Sequence, residues 1–331
     1  MNRLLLMTRP DTDPEMEEIF REAVRGVIRI DGRLLLTESA EGEIKLPGGG
    51  ILPGEDDLSA LCREVREETG YRVKPDSARP WGYIEEIRLS SKEPKIWHQL
   101  SRLYFCEAEP DPAGPEQTDE ERAAGFHVVF YTPAEAVLKL EAEKKTELNP
   151  REYKTFLLLT ERDRKAAPEI LAISPELQLR RYDGHYEGFL PGYEDPVVYR
   201  NSEGILDDEK KPDLEYIRGM CEYLDSAGEF YTIEALRDGV FVPVGDCTVK
   251  PVNPPIAIWY PEYRGRGIGT AVMKRVLLRL KELGFKRVTG STVYKWNPVS
   301  RRMHESLGFR LSGETETEWK FDLDLEGFAE S

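Results

Sequence analysis

The stretch Gly49-Gly50-Ile51-Leu52-Pro53-Gly54-Glu55-Asp56-Asp57-Leu58-Ser59-Ala60-Leu61-Cys62-Arg63-Glu64-Val65-Arg66-Glu67-Glu68-Thr69-Gly70-Tyr71 decides how the first half of this 331-residue chain is read. Leu58, Leu61, Cys62 and Val65 fall at i, i+3, i+4 and i+7, the spacing of one helical face. Gly70 stands where a helix of about three turns would stop. Glu64, Glu67 and Glu68 fall at i, i+3 and i+4, so they project together from another flank, roughly a third of a turn from the apolar stripe. Just ahead, Gly48-Gly49-Gly50 lets the backbone come close to a ligand. Three neighbouring carboxylates repel one another, and a hard divalent cation with oxygen ligands relieves that repulsion best. The plain alternative is a solvated acidic helix face, against which the glycines and Arg63 argue.

The pattern Gly49, five residues, Glu55, seven residues, then Arg63-Glu64-Val65-Arg66-Glu67-Glu68-Thr69-Gly70-Tyr71 resembles the Nudix box, GX5EX7REUXEEXGU with U bulky and apolar. Every fixed polar and glycine position is met, an agreement expected by chance on the order of 10⁻⁸ per start point. Tyr71, in the closing apolar position, is a mild departure that concerns packing. The resemblance implies a Nudix α/β/α sandwich that hydrolyses a phosphoanhydride linked to a nucleoside diphosphate. It also implies Mg²⁺ or Mn²⁺ held by Glu64, Glu67, Glu68 and the carbonyl of Gly48, with Arg63 paired to Glu55. In this family the metals polarise the anhydride and activate water, with a glutamate as general base. Glu64 and Glu67 are the candidates inside the box; Glu116, Glu120 and Glu121 are candidates in a downstream loop.

A chain of this length exceeds what one hydrophobic core usually serves, so two domains are expected. Alternation from Glu22 to Leu36 around Asp31-Gly32 predicts a β-hairpin. Strand-like runs follow at Trp81 to Leu89, Leu100 to Glu107 and Phe126 to Tyr131, and a helical stretch covers Arg151 to Lys165. Prolines between Ala166 and Pro175 then interrupt helix, which sets the boundary near position 173 and gives domains 1–173 and 174–331. The second half reads as strands near Leu177 to Arg181, Glu229 to Leu236, Phe241 to Val249 and Ile256 to Tyr260, and a helix from Gly267 to Leu283. A strand at Arg287 to Tyr294, a short helix at Pro298 to Leu307 and a last strand near Glu316 to Leu323 complete an α+β order.

Within it, Tyr263-Arg264-Gly265-Arg266-Gly267-Ile268-Gly269-Thr270 sits between a strand and a long helix. Glycines at a helix start leave N–H groups unobstructed, and the positive end of the helix dipole adds to them, so the corner suits a pyrophosphate. The segment resembles motif A of the GNAT acetyltransferases, Q/R-x-x-G-x-G/A, and Asn297 to Phe309 resembles a later segment of the same family. The resemblance implies a mixed-sheet acyl-CoA N-acyltransferase fold that takes acetyl-CoA as co-substrate. Arg264, Arg266, Gly267, Ile268, Gly269 and Thr270 would hold the pyrophosphate, Ile258, Trp259 and Tyr260 would line the pantetheine and thioester, and Asn297 would contact the cofactor farther along. Many members carry a tyrosine where this chain has His304, which is either a catalytic acid for the departing thiolate or a cofactor-contacting side chain. Deprotonation of the amine would fall to water or a carboxylate, with Glu234 and Asp246 as candidates.

A formal net charge of −16 disfavours a nucleic-acid duplex. No apolar run suits a membrane span, and the opening Met1 to Arg9 is too short of apolar residues for a signal peptide, so the expectation is a cytoplasmic protein. Cys62, Cys106, Cys221 and Cys247 lie far apart, as reduced thiols do. The leading expectation is a bifunctional enzyme acting on a small phosphoanhydride and an amine acceptor; the alternative is an acetyltransferase with a ligand-sensing Nudix domain. The many acids between Tyr182 and Glu229 would make a negative field that concentrates a cationic amine.

Overall fold

The computed structural model describes residues 1–8, 16–91, 93–147 and 149–328, with the backbone alone at Glu120. The chain divides into two compact units, Met1–Leu159 and Thr160–Ser331. The division precedes the boundary expected near position 173, because the stretch from Ala166 to Pro175 is not a linker. Its prolines flank a strand, Ile170–Ser174, which pairs antiparallel with Leu177–Arg181 in the second unit's sheet.

The first unit runs β1 (Arg3–Thr8), β2 (Glu18–Ile30), β3 (Arg33–Glu38), β4 (Ile44–Lys45), α1 (Asp57–Thr69), β5 (Tyr71–Val73), β6 (Arg79–Leu89), β7 (Ile96–Cys106), β8 (Ala108–Pro110), α2 (Asp119–Ala123), β9 (His127–Tyr131), α3 (Pro133–Ala142) and α4 (Pro150–Ala166), the division falling within α4. Among the described residues the main sheet has seven strands in the order β1-β6-β7-β2-β3-β4, with β9 also on β3. The β2–β3 hairpin turns at Asp31 and Gly32, both at positive φ (51° and 79°), the backbone that matches the twist of two-residue hairpins. Along β2 and β3 successive side chains face opposite ways. Val24, Ile28 and Leu35 pack against Ala60, Leu61 and Val65 of α1. Val27, Leu34 and Leu36 pack against Ala136 and Leu140 of α3 and Phe156 and Leu159 of α4. The result is the expected α/β/α sandwich. The buried face of α1 is turned slightly from the expected one, since Leu58 is exposed and Ala60 is fully buried.

The second unit continues with β10 (Ile170–Ser174), β11 (Leu177–Arg181), α5 (Leu190–Tyr193), α6 (Pro196–Ser202), α7 (Leu214–Ala227), β12 (Glu229–Arg237), β13 (Val240–Val249), β14 (Ile256–Ile258), α8 (Ile268–Glu282), β15 (Arg287–Tyr294), α9 (Pro298–Ser306), β16 (Arg310–Glu314) and β17 (Glu318–Asp324). A five-stranded sheet, β10-β11-β12-β13-β14, stands beside a three-stranded one, β15-β17-β16. Val272, Met273, Val276, Leu277 and Leu280 of α8 bury against one face, with Tyr231 and Ile233 of β12. Phe230, Ala257 and Trp259 bury against α5 and α7 on the other. Full burial of each such side chain stabilises by about 1.5–3 kcal/mol. Because β14 and β15 belong to different sheets, the gap between them opens into a cleft.

All four cysteines are free. Among the described residues, no helix is long and apolar enough to cross a membrane.

Candidate active sites

In the first unit the Gly-rich loop lies along β2: Val24 N–H donates to the Gly49 carbonyl (2.9 Å), Gly26 N–H to Pro47 (2.8 Å) and Ile51 N–H to Glu22 (3.1 Å). Asp56 caps α1 by accepting from Ser59 N–H (2.7 Å), and Gly70 ends it in the left-handed conformation at φ 69°. The glycines are required by proximity. A Cβ on Gly49 would fall 2.2 Å from the Glu64 carboxylate, and one on Gly48, itself at φ 137°, 2.2 Å from the Val24 carbonyl.

Arg63 ties loop to helix. It makes a two-pronged bond to Glu55 (2.9 and 2.8 Å) and donates to the Gly50 carbonyl (3.0 Å), Glu64 (2.8 Å) and Glu67 (3.3 Å). Its hydrogen bonds hold the Glu55 carboxyl down to about 2. Glu68 turns inward instead and accepts from Gly48 N–H (2.8 Å), and burial raises its carboxyl to about 7 despite the nearby Arg25 guanidinium. Thr37, Lys45, Glu68, Gln117, Glu121 and Phe126 line a small hollow of about 90 Å³.

The three box glutamates therefore point to two places, Glu64 and Glu67 toward Arg63 and Glu68 toward Gly48. Among the described residues, no three His, Cys, Asp or Glu side chains already stand as a closed metal set. Such a donor set, a few carboxylates on one helix flank beside open space, fits a cation that keeps waters and takes substrate phosphates as ligands. The carbonyl of Gly48 fits less well, because the buried Arg25 guanidinium, on β2, donates to it as well as to Leu46 (3.3 Å). Sequence reasoning missed Arg25; its only signal was a charged residue inside the apolar run Ala23 to Ile28. Of the downstream base candidates, Glu116 pairs with Arg66, Glu121 lies on the Glu68 hollow, and the Glu120 side chain lies outside the described residues.

In the second unit the cleft between β14 and β15 has a volume of about 930 Å³. Gly265, Gly267, Gly269 and Thr270 at the start of α8 line it, as do Ile258, Asn297 and His304. Gly265 (φ 71°) and Gly267 (φ 80°) take left-handed backbone, and a Cβ on either would meet nothing, so conformation rather than space calls for glycine. Several expected contacts are otherwise engaged. Arg264 donates to the carbonyls of Ile258 (3.0 Å) and Trp259 and to Asp195 (2.9 Å), which makes it a brace for the end of β14. Asn297 caps α9 by accepting from Ser300 N–H (3.1 Å). Trp259 is 1% exposed and turned into the core against Phe189, away from the thioester position expected for it. Arg266 is exposed, Ile268 and Tyr260 partly buried.

His304, expected as either a catalytic acid or a cofactor contact, lines the cleft with both ring nitrogens engaged. It is buried, Nδ1–H donates to the Ser300 carbonyl (2.8 Å), and Nε2 is left to accept from the Ser291 hydroxyl (2.8 Å). Burial lowers its pKa, which favours the neutral ring, and the Nδ1–H is engaged by the Ser300 carbonyl. Asp246 of β13 also lines the cleft, accepting from Trp259 Nε1 (2.7 Å) and the Tyr193 hydroxyl (3.0 Å). Burial pushes its carboxyl up to about 7.

The NUDIX domain family model matches residues 20–156, and the Acetyltransferase (GNAT) family model matches residues 195–309. Nucleoside triphosphatase NudI of Enterobacter sp. (strain 638) is 33% identical over 91 residues, covering 26% of this chain and 64% of that protein, less than two thirds of its length. Among solved structures, a GNAT-family acetyltransferase from Bacillus anthracis is 16% identical, with a TM-score of 0.38 over 47% of this chain and 99% of the other. A NUDIX hydrolase from Nitrosomonas europaea is 18% identical, with a TM-score of 0.32 over 44% and 90%. The chain thus carries a Nudix domain over residues 20–156 and a GNAT-family acetyltransferase domain over residues 195–309.

Proposed function

We propose that the chain is a bifunctional enzyme, which hydrolyses a nucleoside phosphoanhydride in its first unit with Mg²⁺ or Mn²⁺ and transfers acetyl from acetyl-CoA to an amine in its second. The observation that carries the first activity is the set Glu64, Glu67 and Glu68 beside glycines whose side-chain positions are already filled. A divalent ion bound there would supply Lewis acidity and a water of lowered pKa. The chain's own part is to hold that ion with Glu64, Glu67 and Glu68, to fix loop against helix through Arg63, and to offer Glu64, Glu67 or Glu121 as the base. The name of the NudI relative makes nucleoside triphosphates the first substrates to assay. For the second activity, the N–H groups at the start of α8 are left without intrahelical partners, which suits the pyrophosphate of coenzyme A.

One observation favours a second reading, an acetyltransferase with a ligand-sensing Nudix domain: Arg25 occupies the Gly48 carbonyl that a metal would use. The two readings separate in one assay of the full chain with a nucleoside triphosphate, with and without Mg²⁺. Product that depends on Mg²⁺ supports the hydrolase; saturable binding without turnover at any metal concentration supports the sensor.

A further inference from the structure

Many of the acids between Tyr182 and Glu229 have structural partners. Asp195, Asp207 and Asp213 cap helices, Asp195 also braces Arg264, and Asp208 pairs with Arg200. Asp225 pairs with Arg164 and Arg181, and Glu229 pairs with Arg279. Glu203 is different. It lines the cleft, burial raises its carboxyl, and its hydrogen bond comes from the neutral Tyr216 hydroxyl. Asp246 lines the same cleft, and Glu203 is close enough to act on its charge.

Asp246 is anchored through one oxygen. Oδ2 takes the bonds from Trp259 and Tyr193, and Oδ1 has no hydrogen-bond partner among the described residues. Its strand partner is Ala257 of β14, the strand whose end the GNAT resemblance assigns to the thioester. Glu234, the other candidate acceptor, is engaged by Arg180 (2.9 Å) and Gln178 (2.7 Å). Tyr193, Glu203 and Cys221 are the titratable groups that act on Asp246 from α5, the end of α6 and α7, and Cys247 is its buried neighbour on β13. Of the cations on the cleft wall, Arg264 pairs with Asp195 and Lys250 lies over the Tyr223 ring (5.3 Å), and the exposed Arg302 of α9 completes the set.

We propose that Asp246 is the catalytic base of acetyl transfer, and that the acceptor is an amine with a second positive charge, which Glu203 holds. This rests on the acetyl-transfer reading above. The acceptor's lone pair forms a bond to the thioester carbonyl carbon and the carbon–sulfur bond breaks. Coenzyme A leaves as a thiolate that water protonates, and the proton lost from nitrogen passes to Asp246 Oδ1 and then to water. The sum is amine plus acetyl thioester giving amide plus thiol. Burial suits Asp246 to this role, because a base poised near 7 is matched to the operating pH.

The test uses the full chain, acetyl-CoA, and two probes of equal length, 1,4-diaminobutane and butylamine. With the wild type, log(kcat/KM) should rise with pH through a limb near 7. Asp246→Asn, which still accepts from Trp259 and Tyr193, should lower kcat on the order of a hundredfold and lose that limb. Glu203→Gln should raise KM for the diamine about tenfold with kcat unchanged, and leave butylamine unaffected. Calorimetry without acetyl-CoA should show the same loss of diamine binding. An Asp246→Asn enzyme with wild-type rate and limb would overturn the base, and equal effects on both amines in Glu203→Gln would overturn the second charge. A wild type that binds acetyl-CoA yet releases no coenzyme A with either amine would overturn this acceptor class, and the absence of acetyl-CoA binding would sink the transferase reading itself.

Discussion

Glu68, half-buried, and Asp246, fully buried, are carboxylates raised to about 7 by the same cause, desolvation, yet their surroundings differ in kind. Glu68 sits among charges: Arg25 beside it, Glu64 and Glu121 near it, and an acidic helix flank leading outward. Asp246 sits among neutral donors, the Trp259 indole and the Tyr193 hydroxyl, with one further carboxylate in reach. A negative cluster held open by arginines has an electrostatic deficit that a cation fills. A buried carboxylate among neutral donors has no such deficit; desolvation raises it to where it can accept a proton from a nitrogen that becomes acidic as it attacks a carbonyl. Two sites that look alike as perturbed acids are therefore built for different partners.

The sharpest way to break that contrast is at Arg25. Its guanidinium is buried beside Glu68 and acts on Glu152, which is 2% exposed and leaves Oε2 without a hydrogen bond. Arg25→Met should remove the donor to the Leu46 and Gly48 carbonyls and the cation beside Glu68, while Arg151 still pairs Glu152, and destabilise the first unit by about 1–3 kcal/mol, measured by denaturant unfolding. A loss under about 1 kcal/mol would mean the charges around Glu68 are not coupled.

That network also marks where sequence reading stops. The box, the hairpin at Asp31-Gly32 and the α8 glycines were legible because short-range chemistry dictates them: fixed spacing, positive φ, a helix start. Arg25, Asp246 and Glu203 carry no local pattern. What makes them unusual is burial and the partners brought by distant strands, as when Trp259 and Tyr193 converge on Asp246 across the five-stranded sheet and α5. His304 shows the reverse, a residue placed correctly by motif whose role depended on which atoms its ring nitrogens met. Periodicity assigned no element to the stretch between Arg181 and Glu229, where α5, α6 and α7 lie. Two of these helices are too short for a periodic signal, and many of their acids are caps and ion-pair partners.

A gentler probe of the contrast is pH. Between about 4 and 7 the folded second unit keeps a proton on Asp246 that the unfolded chain has released, so its stability should fall as pH rises through that window. The slope is up to about 1.4 kcal/mol per pH unit. Asp246→Asn should flatten it, as followed by amide exchange in β13; parallel curves for wild type and variant would deny Asp246 its raised carboxyl. The smallest effect expected is at His304. His304→Phe removes an acceptor from Ser291 but no catalytic proton, so kcat for acetyl transfer should change by less than about threefold. A loss of a hundredfold without unfolding would restore the acid role to the histidine.

The most direct test of two separate activities in one chain is a crossed assay on the full-length protein, reading nucleotide product and coenzyme A release from the same preparation. Glu67→Gln should cut Mg²⁺-dependent hydrolysis on the order of a hundredfold or more and leave acetyl transfer untouched, and Asp246→Asn should do the opposite. If either substitution abolished both activities in a protein that remained folded, or if Glu67→Gln left hydrolysis at the wild-type rate, the account of two independent sites would be contradicted.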